Sequence, residues 1–401
     1  MSRLNILWVT DHCCYDGILH AGGRLFLNVI PRFNPDKFRI IPAMIRSSDE
    51  VREIFENSVL DVDIFDASRF DLRTISKFRR MIKEEPLDVM HLHCYGTSTY
   101  GRIAAKLTGG VPTILHDYDT DFYFPYPWYL EAVDNLLAPY TAGAIASNPL
   151  VAQFTLERRK IPREKIRLMF HPVLDDRYEP VSREASMAMR DKLDVPQEAT
   201  LVGAFTKLAP ERGNEFLLES FKQVVEAKPD TYLVFGYSPT EFHRLPRGYD
   251  ESTHTIGKDK NRTALEDQAR KLGILDKVRF FETVDIPNEL EAACDLQVAP
   301  WLGERFSIAR VLDALPKGLP LISTNVGEPP HIITEGVDGY VAPAGNVAEY
   351  SQKLLGAISN PDHLARLQAG AKEKAKKFHI DHFVHELEDW YTELAAQHRR
   401  S

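Results

Sequence analysis

Gln297–Pro330 reads QVAPWLGERFSIARVLDALPKGLPLISTNVGEPP, and its pattern decides the fold class. Gln297 to Pro300 closes a short apolar run of strand type, Ile308 to Leu315 carries apolar residues at helical spacing, and Leu319 to Thr324 is a second apolar run. Strand, loop, helix and strand in that order make the repeating unit of a parallel α/β sheet. There the loop after a strand and the start of the next helix meet the ligand, because the helix end presents unpaired N–H groups and a partial positive charge. Glu304 lies in that loop and Asp313 on the helix behind it.

The same pattern occurs earlier in the chain. Leu4 to Thr10, LNILWVT, is a nearly continuous apolar run, as a strand buried on both faces requires. Further strands are expected at Asp88–His93, Pro112–His116, Gly143–Ser147 and Ile166–His171. His171 to Met187 is polar and broken by prolines, which predicts a linker. Strand signals resume at Thr200–Thr206, Leu233–Gly236 and Val278–Phe281, with helices over Ala264–Leu272 and Asp381–Ala396. Tyr237 to Asn261 is longer than a usual connection.

A chain of 401 residues with 44% hydrophobic and 27% charged side chains fills two ordinary cores. A net charge of −9 argues against a nucleic-acid binder that works by neutralising phosphates. Four cysteines at spacings that fit neither a disulfide framework nor a zinc ribbon point to a reducing, cytoplasmic setting. The N-terminus runs directly into a strand, without the pattern of a signal peptide. Arg73, Lys77, Arg80 and Lys83 share one face of a helix whose other face carries Leu72, Ile75, Phe78 and Ile82. That arrangement suits a solvated helix packed on a sheet, and leaves open a peripheral contact with an anionic membrane.

Several residues have the chemistry of a site. Gly22 and Gly23 precede a helical stretch, which suits close approach of a phosphate and equally a tight turn. Lys207 and Arg212, five residues apart at a helix entrance and followed by Gly213, suit a diphosphate or stand as a solvated pair. His116 ends a strand, where it contacts a ligand or bonds to backbone. His91 and His93 point to one face of their strand, but with no third ligand nearby they read as structural. Asp117 begins a loop in which Tyr126 and Trp128 stand among seven aromatics and three aspartates, a composition suited to a sugar or other acceptor with an apolar side, or to core residues that anchor an irregular segment. A calcium loop is excluded, since its sixth position is Phe122 and its twelfth Trp128.

The organising stretch resembles the C-terminal donor site of family 4 retaining glycosyltransferases. That signature is an acid, a Gly-Phe-Gly-like loop, a second acid, Ala-Met-Ala-x-Gly-x-Pro-Val-Ile-Ala-Thr, and Val-Gly-Gly. Here it stands as Glu304-Arg305-Phe306-Ser307, Asp313-Ala314-Leu315-Pro316-Lys317-Gly318-Leu319-Pro320-Leu321-Ile322-Ser323-Thr324, and Val326-Gly327-Glu328. It departs from the family in having one extra residue between the acids, Asp as the second acid, and Pro316.

The resemblance implies an α/β chain of GT-B architecture, with two Rossmann-like domains facing one another across a cleft. Residues 1–178 would form the acceptor-side domain and 188–378 the donor-binding domain, with 379–401 a helix returning to the first. It implies a retaining transferase that moves a sugar from a nucleoside diphosphate donor to an acceptor hydroxyl, without a cofactor or metal. Glu304 and His116 would be catalytic. Lys207, Arg212, Asp313, Gly22, Gly23, Ser307 and Ile308 would bind donor, and Asp117, Tyr126 and Trp128 acceptor. A sugar-nucleotide epimerase and a non-catalytic sugar-nucleotide sensor use the same fold and stay open. Nucleobase, sugar, acceptor and oligomeric state are not legible in the residues.

Overall fold

The computed structural model describes residues 3–15, 18–19, 21–68, 71–118, 127–237, 258–283, 285–303 and 308–399. The chain forms two compact units, one of Met1–His171 with Ile380–Ser401 and the other of Pro172–His379.

The first unit holds strands β1 (Leu4–Thr10), β2 (Cys14–Tyr15), β3 (Ile18–Leu19), β4 (Phe38–Met44), β5 (Asp63–Ile64), β6 (Val89–His93), β7 (Thr113–Asp117), β8 (Gly143–Ala146) and β9 (Ile166–Leu168). Its helices are α1 (Ala21–Val29), α2 (Asp49–Glu56), α3 (Arg73–Glu84), α4 (Tyr95–Leu107), α5 (Trp128–Leu137) and α6 (Pro149–Glu157). Seven strands pair in the order β5-β4-β1-β6-β7-β8-β9, all parallel, while β2 and β3 form a small antiparallel pair. Alternation along β6 sends Met90 and Leu92 into the core with Leu7, Val9, Phe78 and Leu115, and His91 and His93 to the opposite face. β4 contains Pro42, a residue that weakens a strand pattern. It is tolerated because Pro42 pairs with Trp8 of β1, while β5 joins only at Ala43 and Met44. On α3 the buried residues are Thr74, Phe78 and Met81, whereas Leu72 precedes the helix and is exposed. Arg73 pairs with Asp71 and Arg80 with Glu84, which partly neutralises the basic face.

The second unit has helices α7 (Asp175–Tyr178), α8 (Arg183–Lys192), α9 (Asn214–Ala227), α10 (Lys258–Leu272), α11 (Asn288–Ala293), α12 (Ala309–Ala314), α13 (Val347–Ile358) and α14 (Pro361–Ala375). Its strands are β10 (Thr200–Phe205), β11 (Thr231–Tyr237), β12 (Val278–Glu282), β13 (Leu296–Ala299), β14 (Leu321–Thr324) and β15 (Gly339–Ala342), parallel in the order β12-β11-β10-β13-β14-β15. Val202, Leu217, Phe221, Leu233, Phe235 and Tyr350 centre its core. In both sheets the winding reverses direction once, between β1 and β6 and between β10 and β13, the place where doubly wound sheets hold their ligands.

The expected linker, 171–187, is instead ordered and mostly part of the second unit. Arg177 of α7 is buried and donates to the carbonyl of Ile286 and to Asp285, and the Val173 N–H donates to the carbonyl of Phe378. The division therefore falls after His171 rather than at residue 178. The last helix, α15 (Ile380–His398), lies on the first unit's sheet. Its Trp390 ring would meet a Cβ at Gly143 at 2.4 Å, so β8 needs glycine there. The long stretch after β11, residues 238–257, lies outside the described residues. No helix among the described residues is long and apolar enough to cross a membrane.

Candidate active site

In the second unit the chain leaves β10 through Lys207, turns through Pro210–Arg212 and enters α9 at Asn214. Asn214 holds the turn by donating to the carbonyls of Lys207 and Ala209 at 3.0 and 3.1 Å. Gly213 adopts φ 70°, and a Cβ there would stand 1.8 Å from the Pro300 carbonyl oxygen, so only glycine fits. The N–H groups of Leu302 and Gly303 both donate to the Glu211 carbonyl, at 3.0 and 3.1 Å. These contacts join the turn after β10 to the loop after β13, the two sides of the switch point. Lys207 is exposed, and the half-buried Arg212 guanidinium lies 5.0 Å from the centre of the buried Trp301 ring. The Thr324 hydroxyl at the end of β14 donates to the Trp301 carbonyl.

Glu304 and Ser307 lie outside the described residues. Ile308 is described, and its backbone N–H, expected to serve the donor, donates to the carboxylate of Glu328 at 3.2 Å. Glu328 is 2% exposed and takes this place because a helix start favours negative charge. Asp313 is buried on α12; burial raises the Tyr178 phenol, and the Asp313 charge adds to that rise. Nearby Glu291 is also buried; burial pushes its carboxyl up to about 8 against the opposing pull of Arg177, 3.8 Å away.

In the first unit Gly22 and Gly23 fall within the first turn of α1, which starts earlier than the sequence suggests, so they are helix-start residues rather than a loop before it. Both are buried. At the other side of this switch point, Asp11 accepts from the N–H groups of Gly96 and Thr97 at 2.9 and 2.7 Å. The protein's own carboxylate thus holds the start of α4, where a doubly wound sheet could hold an anion.

His116 is 2% exposed at the end of β7. Burial and the neighbouring His171 push its imidazole down to about 3, which favours the neutral ring. Asp117 is buried and ion-paired with Arg159, which also meets Asp134, itself paired with Arg102. Asp117, expected to meet the acceptor, thus has a carboxylate oxygen held by Arg159 within this buried network. Tyr126 lies outside the described residues; Trp128, at the start of α5, is 79% exposed.

The third imidazole that the sequence did not reveal beside His91 and His93 is His116, brought in by pairing of β6 with β7. The three offer nitrogens within 4.8 Å of one another. They fit a metal poorly, because His91 Nε2 and His116 Nδ1 point at each other 3.2 Å apart and share a hydrogen bond.

Residues 186–374 match the profile of Glycosyl transferases group 1, and residues 31–177 that of Glycosyltransferase Family 4. The chain belongs to glycosyltransferase family 4. Among its relatives, the D-inositol 3-phosphate glycosyltransferase of Salinispora tropica is 26% identical over 54% of this chain and 42% of its own. The chain spans about half the length of the inositol-phosphate glycosyltransferases that it matches. The UDP-Gal:alpha-D-GlcNAc-diphosphoundecaprenol alpha-1,3-galactosyltransferase of Escherichia coli is 22% identical over 81% of this chain and 80% of its own. The crystal structure of Anabaena Alr3699/HepE in complex with UDP superposes with a TM-score of 0.78 at 17% identity, covering 97% of this chain and all of that one. The fold is GT-B, with two Rossmann-like units.

In this family 4 chain, three features of the site had little or no signal in the sequence. Glu328 stands where the resembled motif carries glycine, and that exchange was its only mark. Trp301 follows the apolar run that closes at Pro300, and nothing local tied it to Arg212, 89 positions earlier. Asp11 gave no signal, since its partners Gly96 and Thr97 are brought to it only by the pairing of β1 with β6.

Proposed function

We propose that the chain is a retaining glycosyltransferase that takes a sugar from a nucleoside diphosphate donor and passes it to an acceptor hydroxyl. The carrying observation is the turn Lys207–Arg212, fixed to the loop after β13 at the switch point of the second unit's sheet. Two cations held there by backbone geometry put positive charge where a departing diphosphate becomes more negative. Asp313 serves the ribose hydroxyls, and Glu304 holds the donor sugar and opposes positive charge at its anomeric carbon. His116, neutral, contacts the transferred sugar. The acceptor hydroxyl attacks from the face the phosphate leaves, and a phosphate oxygen takes its proton, so the anomeric configuration is kept. Exposed Trp128 and the loop before it supply an apolar face for the acceptor. Since protein cations do the work of a metal at the diphosphate, activity persists in excess chelator; complete, metal-reversible inhibition by EDTA would refute that.

A thermal-shift panel of UDP, GDP and ADP sugars tests the reading, because a ligand of the native state raises its melting temperature. Product analysis with and without acceptor follows on the donor that binds. Transfer with retained configuration is expected; epimerised donor, or inverted product, would overturn the proposal. One observation favours a second reading, a sugar-nucleotide sensor: the Ile308 N–H is already spent on Glu328. Binding without any turnover would select it.

A further inference from the structure

Three buried side chains of the first unit form a chain of hydrogen bonds that ends at His116. The Tyr391 hydroxyl, from α15, lies 2.5 Å from His91 Nδ1, and His91 Nε2 lies 3.2 Å from His116 Nδ1. Tyr391 and His91 are fully buried, and His116 is 2% exposed. The two imidazole planes differ by 8° with centroids 5.2 Å apart. That separation exceeds the N···N distance by nearly the width of an imidazole, so the rings approach nitrogen to nitrogen with their planes nearly parallel.

We infer that Tyr391, acting through His91, fixes the tautomer of His116 so that its Nε2 always carries the proton and presents a hydrogen-bond donor. A neutral imidazole has one donor and one acceptor nitrogen, and burial holds both rings far below the ordinary histidine range. The direction of the chain is set at its buried end. Among the described residues the Tyr391 hydroxyl has His91 as its only hydrogen-bond partner, with Phe33 and Phe38 around the ring. If the hydroxyl accepted from His91, its own proton would be buried with no acceptor. If it donates, only a lone pair goes unfilled, which is much less costly. Donation makes His91 Nδ1 the acceptor and puts the His91 proton on Nε2. That proton goes to His116 Nδ1, which leaves the His116 proton on Nε2.

No other described residue bonds to His116 Nε2. A sugar hydroxyl can donate or accept, so a free imidazole could meet it in either sense. The fixed tautomer permits one sense only, N–H to oxygen. Tyr391 and His91 are therefore positioning residues, and their use in the reaction rests on the reading of His116 as a sugar contact.

Long-range 1H–15N correlation spectra of the full chain, labelled at histidine, test the inference. His91 and His116 should both appear protonated at Nε2; protonation of either at Nδ1 would overturn it. In Tyr391→Phe the His116 signals should shift toward a mixture of tautomers, and an unchanged Nε2–H form would overturn the role of Tyr391. If that variant does not fold, the wild-type spectrum alone decides. Transfer by Tyr391→Phe should fall by about tenfold, as expected for one hydrogen bond of ordinary strength. In a His116→Gln background, whose amide N–H has no tautomer, Tyr391→Phe should cost no further activity. Expected tautomers with wild-type transfer in both single variants would refute the sugar contact by His116 and leave the proton chain standing.

Discussion

The guanidinium of Arg212 lies over the ring of Trp301, 5.0 Å from its centre, and so the loop after β13 meets a cation that belongs to the turn after β10. Lys207→Ala and Arg212→Ala should each weaken a nucleoside diphosphate by about tenfold, roughly one charge-assisted hydrogen bond. Calorimetry with the diphosphate alone checks this; unchanged affinity in both variants would move the phosphate site elsewhere. Trp301→Leu should give a smaller loss, confined to the arginine's share.

Gly213→Ala is expected to destabilise the second unit by about 2–4 kcal/mol, through a forbidden backbone angle and a collision with the Pro300 carbonyl. Donor affinity should fall with it, since the same turn holds Leu302 and Gly303. A melting temperature equal to wild type would contradict the packing described here.

Glu304→Gln should fold normally and lose most of its turnover, by about 100-fold or more, because one charge is removed at the reacting centre while shape is kept. Steady-state kinetics with circular dichroism on the same sample separates the two effects. Near-normal kcat would remove Glu304 from the mechanism.

Glu291 makes stability depend on pH in a direction opposite to that of most carboxylates. Its carboxyl is raised to about 8 in the folded protein from an ordinary value near 4.5, chiefly by burial. Between those values the folded state holds a proton that the unfolded state has lost, so its contribution to stability falls as pH rises through that window. Glu291→Gln should therefore gain about 1–3 kcal/mol at pH 9 and almost nothing at pH 5. Denaturant titrations at the two pH values decide it, and an equal effect at both would show that the carboxyl is not protonated when folded.

Trp128→Ala should raise the acceptor KM while slow hydrolysis of donor by water stays near the wild-type rate, because the ring is exposed and supports no core. If transfer and hydrolysis drop together with the melting temperature, the ring packs against its own chain and the acceptor binds elsewhere.

What the residues determined alone was the alternation of buried strands and helices, and with it two parallel sheets. LNILWVT and LPLIST can only be strands covered on both faces, and each glycine or cation that follows such a strand falls at a ligand-bearing edge. The turn after β10 was legible for that reason: Lys207, Arg212 and Gly213 are local in sequence, so their spacing survives folding unchanged. Boundaries were less so. The polar, proline-broken segment after His171 looked like a linker because the burial of Arg177 depends on Asp285 and Ile286, more than a hundred positions away.

Only the tertiary structure decided which side chains met. Strand pairing set His116 beside His91, the last helix added Tyr391, and β1 carried Asp11 to the start of α4. None of these pairs shares a period or a motif, since their separations of 25, 300 and about 85 positions follow from sheet order and chain return. Sequence patterns report what a residue does to its own segment. A buried hydrogen bond between segments is chosen by which donors and acceptors the packed layers leave to satisfy one another, and that choice exists only once the layers have formed.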